Sequence, residues 1–214
     1  MSRTAIIVGL AVGLTAAGAQ AQAPEHPVFL PTRGVAVTYA LSSGAGGPSQ
    51  TTHMYYSAQA NKLRIDTPGD AGYTVLDRGA GQQLLVMNDQ HSYAVVPLDP
   101  DVAEGFILNS HMQYQREGRR SVAGQSCTAW KVVSQQANGQ ACVTADGVLL
   151  SGSGGSGQGP STSLTATSVA YGPQSPSLFE APPGFTKVAP QQLQQMPGGG
   201  PGGGPNGPPG GPPQ

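Results

Sequence analysis

Charge is scarce in this chain of 214 residues. Asp, Glu, Lys and Arg make up 10% of it, against about 25% in an average soluble protein. Ten basic residues face eleven acidic ones, for a net charge of -1 and a pI near 6.4. That balance carries no basic footprint, so a nucleic-acid partner is not expected. The two cysteines are too few for a disulfide-dense mini-scaffold or a four-thiolate zinc site. Signatures of familiar chemistry are missing as well. There is no Gly-x-Ser-x-Gly elbow and no phosphate-binding loop ending in Lys. The histidines are His26, His53, His91 and His111, and their spacing supports no Ser–His–Asp set. No enzymatic activity, cofactor or metal is expected from this inventory.

Long apolar runs are absent except near the N-terminus. Met1-Ser2-Arg3 precedes an uncharged stretch from Thr4 to Ala23 with an apolar centre from Ala5 to Leu14. One positive charge, a short apolar run and the small-residue site Ala19-Gln20-Ala21 form a secretory signal. Cleavage is expected after Ala21. The Gly- and Ala-rich second half argues against a retained span, which needs about 20 strongly apolar residues. Residues 1–21 are therefore read as signal peptide, and no transmembrane span is expected after its removal. A periplasmic or secreted protein follows, and a monomer is expected.

Glycine and proline crowd the other end. From Pro197 to Gln214, sixteen of eighteen residues are Gly or Pro, with Gly-Gly-Gly-Pro recurring at period four. Collagen needs Gly at every third position, which this segment lacks. It also has no apolar side chain to offset ordering entropy. Residues 190–214 are read as a disordered tail and residues 26–189 as the folded domain, a size that suits one core.

All twelve aromatic residues lie between Phe29 and Phe185. Most of this body reads as short alternating strands bounded by turn residues. A hairpin is expected from Thr51–Ala58 and Lys62–Asp66 around Gln59-Ala60-Asn61, with Met54, Tyr56, Leu63 and Ile65 on one face. Residues 72–78, 83–87 and 92–98 form a meander that turns at Asn88-Asp89-Gln90. Asp99-Pro100-Asp101 offers an N-cap and a first-turn proline, and Val102, Phe106 and Ser110 continue a helical stripe to about residue 112. Strands then resume at 113–117 and 119–123, with a solvated tip around Gly118. Further strands follow at 126–134, 140–144 and 147–150, with Asn138-Gly139 as a hairpin turn. Residues 151–161 read as a Gly/Ser loop. Residues 163–171 form another alternating strand, with Leu164, Ala166, Ser168 and Ala170 on one side. Such a succession specifies a mainly β domain, an antiparallel sheet, sandwich or barrel.

Four constellations bear on chemistry. Gly152-Ser-Gly154-Gly-Ser-Gly157 matches a dinucleotide fingerprint in letters, but no helix start follows to hold a pyrophosphate. His53-Met54 and His111-Met112 contain copper-type ligands. Neighbours on a strand point to opposite faces, however, so neither pair converges on one metal. Cys127 and Cys142 lie on neighbouring expected strands in an oxidising compartment, where a disulfide is the default. A two-residue turn at Asn138-Gly139 would set Cys142 opposite Gln135, too far from Cys127. A bond needs a wider loop or a bulge; two separate buried thiols are the alternative. Arg116, Arg119 and Arg120 are the densest charge cluster, suited to an anionic headgroup or partner contact or simply to a solvated surface.

The stretch from Tyr114 to Val132, which includes Gly118, Gly124, Cys127 and Trp130, resembles an uncharacterised exported bacterial domain family of the LolA-like superfamily. Ala141-Cys142-Val-Thr144-Ala-Asp146-Gly147 and the closing Pro176-Ser-Leu-Phe179-Glu-Ala-Pro182-Pro-Gly184-Phe185 share in the likeness. That superfamily includes periplasmic lipoprotein carriers and an envelope-stress sensor subunit. The resemblance implies a strongly curved antiparallel sheet, an unclosed half barrel, with about one helix on or near a concave apolar face that accepts acyl chains. The chain departs from the carriers in having no N-terminal helix after the signal and in carrying a Gly/Pro tail. The expected function is non-enzymatic binding of a lipid, lipidated protein or other apolar ligand. The alternative is an envelope sensor or scaffold that acts by protein contact. Candidate liners from the alternation are Tyr39, Met54, Tyr56, Leu63, Ile65, Leu85 and Trp130, with Phe106 and Ile107 as a lid.

Overall fold

The computed structural model describes residues 25–44, 48–105, 107–135, 138–155 and 161–193. The expected signal peptide and residues 194–214 of the tail lie outside them, as does Phe106.

Among the described residues, alternation of small, β-branched and aromatic side chains produces twelve strands in one sheet. The first six are β1 (Val35–Ser43), β2 (Gln50–Ser57), β3 (Lys62–Asp66), β4 (Gly72–Asp77), β5 (Gln82–Met87) and β6 (Ser92–Pro97). After a short helix α1 (Pro100–Glu104) come β7 (Gln113–Val122), β8 (Gln125–Val133), β9 (Asn138–Val143), β10 (Leu149–Gly155) and β11 (Thr162–Tyr171). The described residues close with β12 (Thr186–Lys187) and the four-residue helix α2 (Pro190–Leu193). The order across the sheet is β12-β6-β5-β4-β3-β2-β1-β11-β10-β9-β8-β7. The sheet is curved and unclosed, as the resemblance implies. Every pairing is antiparallel except that of β12 with β6.

Register fixes which side chains share a face. Val37 pairs with Met54 and Val35 with Tyr56. Met54 then pairs with Ile65, Tyr56 with Leu63, and Leu63 with Leu76. These residues form one continuous inner face, and the alternation of β2 and β3 anticipates it. Their cluster extends to Leu150, Ala166 and the disulfide-bonded pair Cys127–Cys142. The opposite, outer face of β4–β6 is apolar too. Tyr73, Val75 and Val86 pack there against Phe179, with Leu178 and Phe185 alongside. Arg64 crosses this face with its guanidinium 3.6 Å from the Tyr73 ring centre. It also donates to Asp66 at 2.6 Å and to the Leu178 carbonyl at 3.1 Å. The C-terminal segment is thereby fastened down.

Five local expectations need correction. The helix stops at Glu104, well short of residue 112. Asp99 caps its start by accepting from the Asp101 amide at 2.8 Å. Gly105 then turns extended, and a Cβ there would stand 2.0 Å from the Leu108 carbonyl. That close approach needs glycine and diverts the chain out of the helix. Asn138-Gly139 is not a turn. Asn138 pairs with Val133 inside β9, so the connection between β8 and β9 lies wholly before Asn138. This wider connection sets Cys142 opposite Ala129 and brings it within reach of Cys127, 5.4 Å between Cα atoms. Gly118 is no hairpin tip but lies within the ten-residue β7, beside a bulge between Arg116 and Gly118. Residues 151–155 continue β10 rather than looping. Last, a register shift places Tyr39 opposite Ala166 while Thr38 faces Ser168. The extra residue, Thr167, inverts the phase, so Val169 and Tyr171 turn to the core and Ala170 outward.

Candidate functional site

The inner face does not fill itself. A cavity of about 280 Å³ lies over β1–β3. Its floor is Tyr39, Leu41, Met54, Leu63 and Ile65, and Val143, Leu149 and Leu164 form a wall. The roof is the segment Val28-Phe29-Leu30-Pro31 together with Ile107 and Leu108. A second cavity of about 290 Å³ adjoins it toward β8–β10 and shares Ile107, Leu108, Leu149 and Leu164. Together they reach the range of small-molecule sites, roughly 300–1,000 Å³. Gly152 and Gly154 line the second cavity. A Cβ at Gly152 would touch Leu149 and Leu164 only at 3.7 Å, so the missing side chain keeps space open.

The lining of the first cavity is nearly all apolar, and its few polar side chains are already engaged, whereas the second is also lined by Asn138, Gln140, Ser153, Thr162 and Ser163. The Tyr39 hydroxyl donates to the Leu149 carbonyl at 2.6 Å. Burial pushes its phenol well above the ordinary tyrosine range, so it stays neutral. Thr52 donates to the Asp66 carbonyl at 2.5 Å, and the Asp66 carboxylate accepts from Arg64. His53 lies 3.2 Å from the Thr38 hydroxyl. A guest in the first cavity therefore meets hydrocarbon rather than free hydrogen-bonding groups. The mouth is apolar as well. Among the described residues the exposed large hydrophobics are Val28 and Ile107, 42% and 40% exposed, and both belong to the roof.

The roofing strap, residues 25–34, is fastened chiefly at Asp146. Asp146 accepts from Arg33 at 2.7 Å, from Thr144 at 2.5 Å and from the Tyr171 hydroxyl at 3.2 Å. Its backbone carbonyl accepts from the Thr32 amide at 2.9 Å. Arg33 also lies over the Tyr171 ring, 3.6 Å from its centre. Beneath the strap, Gly147 has φ +88°, and a Cβ there would sit 2.1 Å from the Leu30 carbonyl. Burial alone would raise the Asp146 carboxyl. The hydrogen bonds from Thr144 and Arg33 outweigh it and hold the group below the ordinary carboxylate range.

Of the residues singled out from the sequence, Tyr39, Met54, Leu63, Ile65 and Ile107 meet at the first cavity. Tyr56 lies beside it in the core, 6% exposed. Leu85 shares the inner face through its pairing with Thr74 but lies on β5, apart from the lining. Trp130 is buried in a separate cluster with Leu108, Val132, Ala141 and Val143. Its indole nitrogen has no hydrogen-bond partner. Arg116, Arg119 and Arg120 are exposed on β7 and line neither cavity. Sequence reasoning missed the strap and the wall formed by Val143, Leu149 and Leu164. The run Val28-Phe29-Leu30 is the signal that marks the strap. No cluster of three metal-ligating side chains occurs among the described residues. No helix among them is long and apolar enough to cross a membrane.

No family model matches the sequence, and no curated protein matches it. Solved structures do. An uncharacterized conserved protein from Thermus thermophilus aligns with a TM-score of 0.54 at 14% identity, covering 73% of this chain and 90% of that one. MucB aligns with a TM-score of 0.50 at 13% identity, over 73% of this chain but only 60% of its own length. A LolA superfamily protein from Nitrosomonas europaea aligns with a TM-score of 0.37 at 10% identity, over 72% of this chain and 92% of that one. These are likenesses of fold. The chain shares the fold of the Thermus protein and of MucB, a single curved sheet with an apolar inner face.

Proposed function

We propose that this is a non-enzymatic envelope protein that binds an apolar ligand in the cavity between β1–β3, β9–β11 and the N-terminal strap. The ligand is a lipid, the acyl chain of a lipidated protein or another apolar molecule. The observation that carries this reading is the lining of the first cavity, whose few polar side chains are engaged within the protein while its mouth exposes Val28 and Ile107. Burying hydrocarbon there is worth about 0.8 kcal/mol per CH₂. The export signal read from residues 1–21 supplies the compartment, periplasmic or secreted. The protein works there as a monomer.

Native mass spectrometry tests the reading, on mature protein purified from the periplasm without detergent. The expected result is a discrete bound mass that organic solvent releases as a lipid or acylated peptide. An apo mass that stays unchanged in excess lipid would overturn it.

A further inference from the structure

The two edges of the sheet are finished differently. On one side the C-terminal segment covers β6. The Thr186 amide donates to the His91 carbonyl at 2.9 Å and the Val188 amide to the Tyr93 carbonyl at 2.8 Å. On the other side β7 ends the sheet, and among the described residues nothing pairs with its outer edge. It is ten residues long, and all of them but Tyr114 and Val122 are exposed. Exposed edges this long are ready templates for another strand and are usually shortened or covered.

We propose that β7 is a docking edge, to which an extended acidic segment of a partner protein adds as a further strand. Charge selects the partner. Arg116, Arg119 and Arg120 stand against a single acid, Glu117, which reaches Arg120 at 3.7 Å. Among the described residues Arg116 and Arg119 form no ion pair. Register puts Arg116 and Arg119 on one face of the strand, beside Trp130 and Thr128, and Arg120 on the other, beside Cys127. An incoming strand meets cations on both of its faces. A second copy of β7 laid antiparallel would set arginine against arginine, which disfavours self-pairing. The bulge at Glu117 interrupts the edge but leaves Gly118–Val122 in unbroken register with β8. Backbone pairing then supplies affinity, and charge supplies choice. This site is independent of whether the cavity holds a ligand.

The test uses the full mature chain and an eight-residue peptide of alternating Val and Glu, with a Val/Lys peptide and a proline-interrupted Val/Glu peptide as controls. The Val/Glu peptide is expected to bind at least tenfold more tightly than either control and to weaken as salt rises. It should slow amide hydrogen exchange in residues 113–122. The double substitution R119E/R120E lies on an exposed surface that tolerates change, and it should reverse the preference toward the Val/Lys peptide. Failure of the Val/Glu peptide to bind would overturn the proposal. So would binding that survives the double substitution, protection that falls on the strap and cavity, or self-association of the chain through β7.

Discussion

The inner and outer faces of the same sheet solve one problem in opposite ways. Both are apolar, because alternating strands place hydrophobic side chains on each side of β4–β6. On the outer face the chain supplies its own cover: Phe179, 4% exposed, fills the hollow over Tyr73, Val75 and Val86. On the inner face the cover is a strap that bridges the hollow without filling it, and the cavity remains. The difference lies in where aromatic bulk falls. Of the strap's roof residues only Phe29 is aromatic, and it faces Tyr114 at 5.7 Å between ring centres. An apolar surface filled by the chain itself is structural; one left open and roofed is a candidate site.

The sharpest way to break this contrast is to empty the outer face. Phe179→Ala should cost about 3–5 kcal/mol, as for other buried aromatic truncations, read as a lower denaturation midpoint. Apolar-ligand capture by the folded fraction should not change. If stability barely moves, the outer cluster is not the structural one. Next comes filling the inner face. Leu164 borders both cavities, so Leu164→Phe should lower ligand affinity by tenfold or more. Stability should shift by less than about 1 kcal/mol, since the ring enters a void rather than a packed core. Tyr39→Phe sits between the two effects. Losing the hydroxyl bond to Leu149 should cost about 1 kcal/mol while ligand binding holds, which calorimetry and a binding titration separate.

The smallest effect concerns the strap. The Asp146 carboxyl is held below its ordinary value, so its contribution is complete above the unfolded value of about 3.9. It is lost as pH falls through the lower folded value. Asp146→Asn should therefore lower the melting temperature at neutral pH, and the gap from wild type should close below about pH 4. A constant gap from neutral pH down into strong acid would remove the carboxylate from the account. Faster ligand exchange in this variant, measured by stopped flow, would show that the strap gates the mouth.

Much of this contrast is legible in the sequence wherever alternation is local. The hairpin of β2 and β3 is one such place, and there Met54, Tyr56, Leu63 and Ile65 share a face as their spacing says. The meander of β4–β6 and the Asp99 cap are equally local. What fails to show is non-local or a matter of one residue. The bulge at Thr167 adds a residue with no signature of its own and inverts the phase of half a strand. The helix ends early because Gly105 lies against Leu108 and Phe29, a contact that no helical periodicity encodes. The strap crosses the cavity because Arg33 meets Asp146, 113 positions away. The disulfide stays ambiguous in the sequence for a similar reason: the width of the β8–β9 connection decides it, and Asn138-Gly139 mimics a tighter turn than the one that forms.

The most direct test of the central claim is a titration with a fluorescent fatty acid on wild type and Leu164→Phe, both confirmed folded by thermal denaturation. The account predicts saturable binding to wild type, displaced by unlabelled lipid, and at least tenfold weaker binding to the filled variant. Equal binding to both would place the apolar ligand somewhere other than the inner face and contradict the account.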